Sequence, residues 1–145
     1  MVFKNEKELE AFLMKKCQSA VAKAENKVYA IIKRFLVGFY QEYDPVVYER
    51  TNQFLHSLVK SGVKKSRNGY EAEVYFDLNY MYETASKPYA EQVMQAAEWG
   101  RHGAMGLAVA DFKGVSVWQE PLKILDASAI KMLKDMLIAE GIPIK

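Results

Sequence analysis

The sequence has almost no cysteine and no long apolar run, and each shortage excludes a class of protein. Cys17 is the only cysteine among 145 residues, so the chain cannot form an intrachain disulfide or a cysteine-rich zinc site. No apolar run approaches the roughly 18–20 residues that a membrane-spanning helix needs. Residues 1–8 lack the apolar core of a signal peptide. We therefore expect a protein that does not enter a membrane and that stays in the cytoplasm in which it is made.

A strong excess of charge of either sign is also missing. The 20 basic and 18 acidic residues give a net charge of +2, and they largely interleave along the chain. That balance does not by itself indicate a nucleic-acid partner. The apolar fraction of 50% and the charged fraction of 26% are typical of a folded globular chain. At this length we expect one domain, residues 1–145, with a core of its own.

The first part of the chain has the apolar spacing of one long amphipathic helix. Asn5 and Glu8 have the spacing of a helix N-cap and its capping partner. Asp44-Pro45 ends the helix, because the residue before a proline is pushed out of helical geometry. The predicted helix covers about residues 5–43, and a stripe this long leads us to expect that part of it faces a neighbouring subunit. Its apolar stripe is Leu9, Phe12, Leu13, Ala20, Ala24, Val28, Ile31, Ile32, Phe35, Phe39 and Tyr43.

The spacing changes to a period of two between about residues 57 and 77, which predicts a β-hairpin. Thr51 is the expected cap of a short helical turn, residues 52–55, that precedes it. Asn68-Gly69 is typical of a two-residue type I′ turn. That turn predicts two cross-strand pairs, Val63 with Val74 and Lys64 with Glu73. The inward side of the first strand would then carry Val59, Ser61 and Val63.

The rest of the chain gives weaker signals. They predict a short strand and loop over residues 78–90, a short helix over 89–99, a glycine loop over 100–106 and a third strand over 115–118.

A C-terminal helix is expected over about residues 121–140. Pro121 opens a turn, Asp126 caps the helix, and Gly141 and Pro143 stop it. Its predicted apolar face is Ile130, Leu133, Leu137 and Ile138. The order of helix, small antiparallel sheet (about 57–118) and helix defines an α+β fold.

Few residues suggest chemistry. His56 and His102 are the only histidines, and neither has the spacing to a carboxylate or second histidine that a metal or acid–base site needs. We assign no catalytic, cofactor-binding or metal-binding residue. Two alternatives stay open: a nucleic-acid-binding module that uses the basic hairpin and nearby tyrosines, and a small hydrolase or nuclease that uses His102.

One segment resembles a known group of proteins. Tyr43-x-Pro45-x-x-Tyr48-x-Arg50-Thr51-x-x-x-Leu55-x-Ser57, followed by the basic Asn-Gly hairpin, is similar to minor structural proteins of long-tailed bacteriophages and prophages. These proteins are related to the tail-completion, or head–tail joining, family. The loop that begins at Trp99 and the aromatic Trp118 also resemble that group. The resemblance implies a small α+β subunit that assembles as a ring, typically sixfold, between the head connector and the tail tube.

The resemblance and the turn chemistry together suggest two groups of site residues. The expected structural hinge between helix and sheet is Tyr48, Arg50, Thr51, Leu55 and Ser57, with Arg50 paired to Glu42 or Asp44. The expected assembly contacts are Lys65, Arg67, Asn68, Trp99, Arg101, His102 and Met105. The expected partners are further copies of the chain and the connector and tail-tube proteins, with no membrane and only incidental contact with DNA. The implied location is the host cytoplasm during assembly and then the virion.

Overall fold

Helix α1 (Glu6–Glu42) is the longest element of the structure. The backbone N–H of Glu8 donates to Asn5 Oδ1 at 2.9 Å, and Glu8 Oε2 accepts from the backbone N–H of Lys4 at 2.8 Å. These two hydrogen bonds satisfy amides that the first helical turn leaves without partners. The predicted cap and the predicted helix are therefore confirmed. This computed structural model describes residues 3–42, 52–81, 94–95, 97–101, 112–113 and 115–144.

The remaining elements are short until the last helix. They are α2 (Gln53–Ser57), β1 (Leu58–Lys60), β2 (Lys64–Ser66), β3 (Gly69–Glu71), β4 (Val74–Phe76), α3 (Leu78–Met81), β5 (Gly100–Arg101), β6 (Phe112–Lys113) and α4 (Gln119–Ala139). The strands form three antiparallel pairs, β1–β4, β2–β3 and β5–β6. The α+β class is confirmed. No helix in the described part of the chain is long and apolar enough to cross a membrane.

The base of the predicted hairpin is present, but its register differs from the prediction. The pairs are Leu58 with Phe76, Val59 with Tyr75, and Lys60 with Val74. The predicted pairing of Val63 with Val74 is therefore wrong. Leu58 and Phe76 are buried, whereas Val59 is half-buried, so Leu58 and not Val59 faces the core.

A β-bulge separates the base of the hairpin from its tip. The backbone N–H of Ser61 donates to the carbonyl of Glu73 at 2.9 Å, and Ser61 Oγ accepts from the backbone N–H of Glu73 at 2.9 Å. The next ladder pair begins at Lys64, so Gly62 and Val63 together oppose a single residue of the returning strand. Val74 pairs with Lys60 and not with Val63, a shift of three residues, and this extra residue accounts for one of the three.

The tip of the hairpin turns one position earlier than predicted. Lys64 pairs with Glu71, not with Glu73, and Ser66 pairs with Gly69. The two turn residues are consequently Arg67 and Asn68, not Asn68 and Gly69. The bulge shifts the pairing by one residue in the first strand, and a two-residue turn then falls at this position. The predicted meeting of opposite charges across the strands is kept, because Lys64 still opposes a glutamate.

Several weaker predictions need correction. The N-cap position of α2 is Asn52, with φ of 56° and no capping hydrogen bond from its side chain; Thr51 lies outside the described residues. Leu78–Met81 is a helical turn and not a strand. Gly100 and Arg101 form a strand with β6 where a loop was expected. The β5–β6 pairing is distant in sequence, so local spacing does not record it. α3 is capped locally, because Asp77 Oδ1 accepts from the backbone N–H of Asn79 at 3.0 Å.

The predicted third strand over residues 115–118 is wrong. Val117 and Trp118 form the turn from which α4 begins. α4 continues without a break through Asp126, so the prediction that Asp126 caps it is also wrong. Pro121 lies in the first turn of α4, where a backbone N–H would have no intrahelical acceptor. The missing N–H of proline therefore costs the helix no hydrogen bond. At the other end, Gly141 has φ of 84° and its N–H donates to Ile138 O at 2.9 Å, which confirms the predicted glycine stop.

One buried cluster connects α1 to every layer of the fold. Its members are Ile32, Leu36, Phe39, Phe54, Leu58, Phe76, Ala97 and Val117. Ring contacts run from Phe39 to Phe54 (6.0 Å between centroids), from Phe54 to Phe76 (5.3 Å) and from Phe76 to Trp118 (5.7 Å). This row of four aromatic rings places α2, β4 and the start of α4 on the C-terminal half of α1. It contributes buried area, two edge-to-face ring contacts and one stacked contact, Phe54 with Phe76.

Helix α4 packs antiparallel against α1. Near the start of α4, Val115 Cγ1 lies 4.0 Å from the Cβ position that a side chain at Gly38 would occupy. At the other end, Glu140 accepts hydrogen bonds from Lys16 Nζ at 3.3 Å, from Ser19 Oγ at 2.7 Å and from Lys23 Nζ. α1 therefore extends past the end of α4 at its own N-terminus.

Candidate assembly surfaces

The tip of the hairpin places three of the predicted contact residues together. Lys65, Arg67 and Asn68 are all exposed around the β2–β3 turn. Lys64 beside them is exposed as well and opposes Glu71. The tip is therefore a small, mostly basic surface held in one conformation by the ladder.

The bulge attaches this hairpin to α1. The backbone N–H of Gly62, at φ of 70°, donates to Glu25 Oε1 at 2.8 Å. Glu25 is buried, so the hydrogen bond satisfies a carboxylate that would otherwise be costly to bury. Next to it, Lys60 Nζ donates to Asn26 Oδ1 at 2.6 Å. Two polar contacts thus orient the hairpin on the middle of the long helix.

Two lysines share one tyrosine ring beside this attachment. Lys33 Nζ lies 5.5 Å and Lys60 Nζ lies 5.4 Å from the ring centre of Tyr29. Ammonium groups at this distance are attracted by the negative face of an aromatic ring. The arrangement concentrates positive charge on the side of α1 that carries the hairpin.

Trp99 is anchored by a different part of the fold. Ala97 is buried in the core and its carbonyl accepts the N–H of Val115 at 2.9 Å, while the Trp99 side chain is 66% exposed. Arg101 pairs with Phe112 in the β5–β6 ladder. His102 and Met105, predicted for the same surface, lie outside the described residues. The structure thus holds Trp99 outward on a segment that is fixed at both ends.

Glu98, next to Trp99, caps helix α4 from outside that helix. Its carboxylate accepts from Ser116 Oγ at 2.6 Å and from the backbone N–H groups of Trp118 at 2.7 Å and Gln119 at 3.2 Å. Negative charge at this position also favours the positive end of the helix dipole. Sequence reasoning missed this residue, because a cap supplied from about 20 positions away leaves no local signal.

The predicted hinge is only partly described. Ser57 is fully buried, its Oγ donates to the Phe54 carbonyl at 2.8 Å, and its own carbonyl accepts from the backbone N–H of Asp77 at 2.7 Å. Leu55 is half-buried against the core. These contacts fix the junction of α2 with β1 and β4. Tyr48, Arg50, Thr51 and Asp44 lie outside the described residues, so the predicted Arg50 ion pair does too.

The predicted apolar face of α4 is turned away from the protein. Ile130 is 77% exposed, and Leu133 and Ile138 are also exposed, whereas Met132 is 7% exposed and faces inward. The predicted face is therefore wrong for Ile130, Leu133 and Ile138, while Leu137 is half-buried. Apolar residues occur on two sides of α4, and the side that carries Met132 faces the core. We call the exposed side, Ile130, Leu133 and Ile138, the outer face of α4.

The end of α4 is fixed to α1 by one carboxylate. Hydrogen bonds from Lys23, then Ser19 and Lys16, lower the pKa of Glu140 from its ordinary value of 4.5 to about 2. Its side chain is 9% exposed. Because the ionised form accepts all three hydrogen bonds, the contact holds the two helices in one relative position across the neutral pH range.

These surfaces are built from exposed basic, aromatic and apolar side chains. Among the described residues, no group of three or more histidine, cysteine, aspartate or glutamate side chains could hold a metal ion. His56 is exposed on α2. A pair of packed helices that carries a basic hairpin, an exposed tryptophan and an exposed apolar helix face defines a small α+β protein.

Comparison with known proteins supports a family assignment. The model of the YomN family matches residues 5–139, so the chain belongs to the YomN family. The name of that family suggests a gene from a Bacillus phage or prophage region, which is consistent with the resemblance to phage proteins. Comparison with curated proteins and with solved structures gives no match.

Proposed function

We propose that the chain is a structural subunit of a phage or prophage particle, at the head–tail junction or the tail terminus, and that it works by protein contacts without catalysis. The observation that carries this proposal is the outer face of α4. Ile130, Leu133 and Ile138 are exposed on a helix whose other side is already packed, and exposed apolar surface of this kind marks protein–protein contact sites. Membership of the YomN family and the Tyr43–Ser57 resemblance supply the phage context.

The other surfaces have a place in such a subunit. The hairpin tip and the segment around Trp99 are the proposed contacts with the connector, the tail-tube protein or neighbouring copies. Trp99 is suited to the centre of an interface, because a large aromatic side chain buries much area at little entropic cost. The subunit is made in the host cytoplasm and then enters the virion, where a ring of copies, typically six, closes on the connector.

A co-assembly experiment tests the proposal. The chain is expressed with the connector and tail-tube proteins of the same gene region, and complexes are isolated by sizing and weighed by light scattering. Wild-type protein is expected in the complexes, and Trp99→Ala and Arg67→Ala are expected to lower its incorporation at least severalfold, because both residues are exposed contacts. Lys27→Ala, an exposed position on α1, is the matched control. Failure of the wild-type chain to join any of these complexes would overturn the proposal.

The basic cluster favours a second candidate, a nucleic-acid-binding module. Lys33 and Lys60 around Tyr29, with Lys65 and Arg67 at the tip, combine cations and an aromatic ring on one side of α1. Binding of this type weakens steeply as salt rises, since each phosphate contact releases a counterion. Measurable affinity for DNA that falls with salt and is lost in Lys60→Ala would favour this candidate over the structural subunit.

A further inference from the structure

The first turns of α1 have an uncovered apolar stripe. Leu9, Leu13 and Ala20 follow one another at steps of four and seven residues, which places them along one side of the helix. Ala20 is fully buried, but Leu9 and Leu13 are 39% and 38% exposed, because α4 ends beside Lys16. We call the uncovered segment, residues 6–15, the overhang.

Carboxylates flank the stripe of the overhang. Glu6 and Glu10 lie four residues apart on the same side as Leu9 and Leu13, and both are exposed. The segment therefore presents two leucines bordered by negative charge. It has the composition of a helix that docks into an apolar, positively charged surface.

The outer face of α4 has the opposite character. Lys131 and Lys134 are exposed beside Ile130, Leu133 and Ile138, and with the exposed carboxylate on that side, Asp126, they leave the face net positive. Neither lysine makes an ion pair with any residue in the described part of the chain. The charges that would complement them are those on the overhang.

We infer that the overhang of one copy docks on the outer face of α4 of a second copy. The inference rests on the proposed structural role and names the surfaces that copies would use. A copy cannot satisfy its own outer face with its own overhang, because the overhang projects past the end of α4 and Glu140 fixes the two helices in that position. The contact joins two different patches, so it is heterologous and repeats around an axis as a ring or along a line as a filament.

The size of the surfaces sets the strength of the contact. Ten helical residues extend about 15 Å, so the docked area lies at the small end of the range for specific interfaces. We therefore expect association that is weak and rises with concentration. Copies would then associate efficiently where an assembling particle raises their local concentration, and only partly in dilute solution.

A charge-exchange experiment on the full chain tests this inference. Sedimentation velocity is measured from about 10 μM to about 1 mM for the wild type and two variants. One variant carries Glu6→Lys with Glu10→Lys, and the other carries Lys131→Glu with Lys134→Glu. Each variant alone has like charges on both surfaces, so its association is expected to fall at least about tenfold. An equimolar mixture of the two restores opposite charges at every contact and is expected to associate as the wild type does.

Controls distinguish this inference from the proposed function. Lys7→Glu with Lys15→Glu changes the same number of charges on the overhang, but these residues lie on the side of the helix away from Leu9, so its association is expected to match the wild type. Circular dichroism checks that all variants are folded, and Leu13→Gln supplies an uncharged second variant. A wild type that stays monomeric, or a mixture that fails to restore association, overturns the inference. If the inference is overturned but the wild-type protein still joins connector complexes, the proposed structural role is unaffected.

Discussion

Replacing Glu98 tests whether α4 depends on a cap from outside the helix. In Glu98→Ala, the backbone N–H groups of Trp118 and Gln119 and the hydroxyl of Ser116 lose their common acceptor. Amide groups at a helix start have no intrahelical partner, so the loss is not made good within α4. The first turn of α4 should then open more readily, and the whole fold should lose stability because Val117 beside it is in the core.

The expected magnitude follows from the geometry. Loss of a capping acceptor costs about 0.5–2 kcal/mol, and loss of the negative charge near the helix start costs about 0.3–1 kcal/mol more. We expect Glu98→Ala to lower the free energy of unfolding by about 2 kcal/mol. For a chain of this size, that corresponds to a fall in Tm of about 4–8 °C. Glu98→Gln keeps one acceptor oxygen and should lose about half as much.

The assay is thermal unfolding with amide hydrogen exchange. Both Glu98 variants should speed exchange at the N–H groups of Trp118 and Gln119 before any other part of α4. Glu120→Gln is the control: it removes a carboxylate from the same turn, but that carboxylate only pairs with Lys123 at the surface, which is worth about 0–1 kcal/mol. A Tm for Glu98→Ala within 1 °C of the wild type, with unchanged exchange, would refute the reasoning about α4.

Three further predictions concern single contacts. The pKa of Glu140 is lowered from 4.5 to about 2, chiefly by Lys23, so its ionised form stabilises the fold above pH 4.5 and the contribution is lost as the pH falls toward 2. Acid unfolding curves of the wild type and Glu140→Gln should converge over that interval; parallel curves would contradict this account. Gly62→Ala should cost about 1–2 kcal/mol because φ is 70° there, and Gly62→Asn should cost less, both measured by urea unfolding. Met132→Ala should cost about 2–4 kcal/mol and Ile130→Ala less than about 0.5 kcal/mol, and the reverse order would show that the inner side of α4 is misassigned.

Local signals were sufficient for the start of α1 and the end of α4. The Asn5–Glu8 spacing identified the start of α1, and Gly141 identified the end of α4, because both devices act within a few residues of one chain segment. The apolar period of three and four residues gave the length of α1 for the same reason. The α+β fold class followed from these elements.

The hairpin register could not be predicted from its turn residues. Asn68-Gly69 suits a two-residue turn, but the turn residues are Arg67 and Asn68, and the bulge at Gly62 shifts the strand pairing by one further residue. The bulge places the N–H of Gly62 on Glu25, which lies 37 positions earlier in the chain. A preference that depends on so distant a partner leaves no trace in the alternation of apolar and polar residues.

The start and the face of α4 were missed for related reasons. Asp126 has the chemistry of a cap, yet Glu98 supplies the cap and the helix starts seven residues earlier, at Gln119. Apolar residues surround much of α4, so periodicity alone could not decide whether Met132 or Ile130 faces the core. Among the candidate contact residues, sequence reasoning did select Trp99 and the hairpin tip, both of which are exposed, but it did not recognise the outer face of α4 as surface.

The β-bulge makes the strand pairing of the hairpin less regular, and the same bulge attaches the hairpin to α1. Removing one of the two residues Gly62 and Val63 would let the ladder run without interruption from Leu58 to Ser66, and the isolated hairpin would be better paired. The same deletion would take from the buried carboxylate of Glu25 the N–H donor that Gly62 now supplies. Variation among related chains should therefore keep the irregularity together with an acceptor at position 25, or lose both at once.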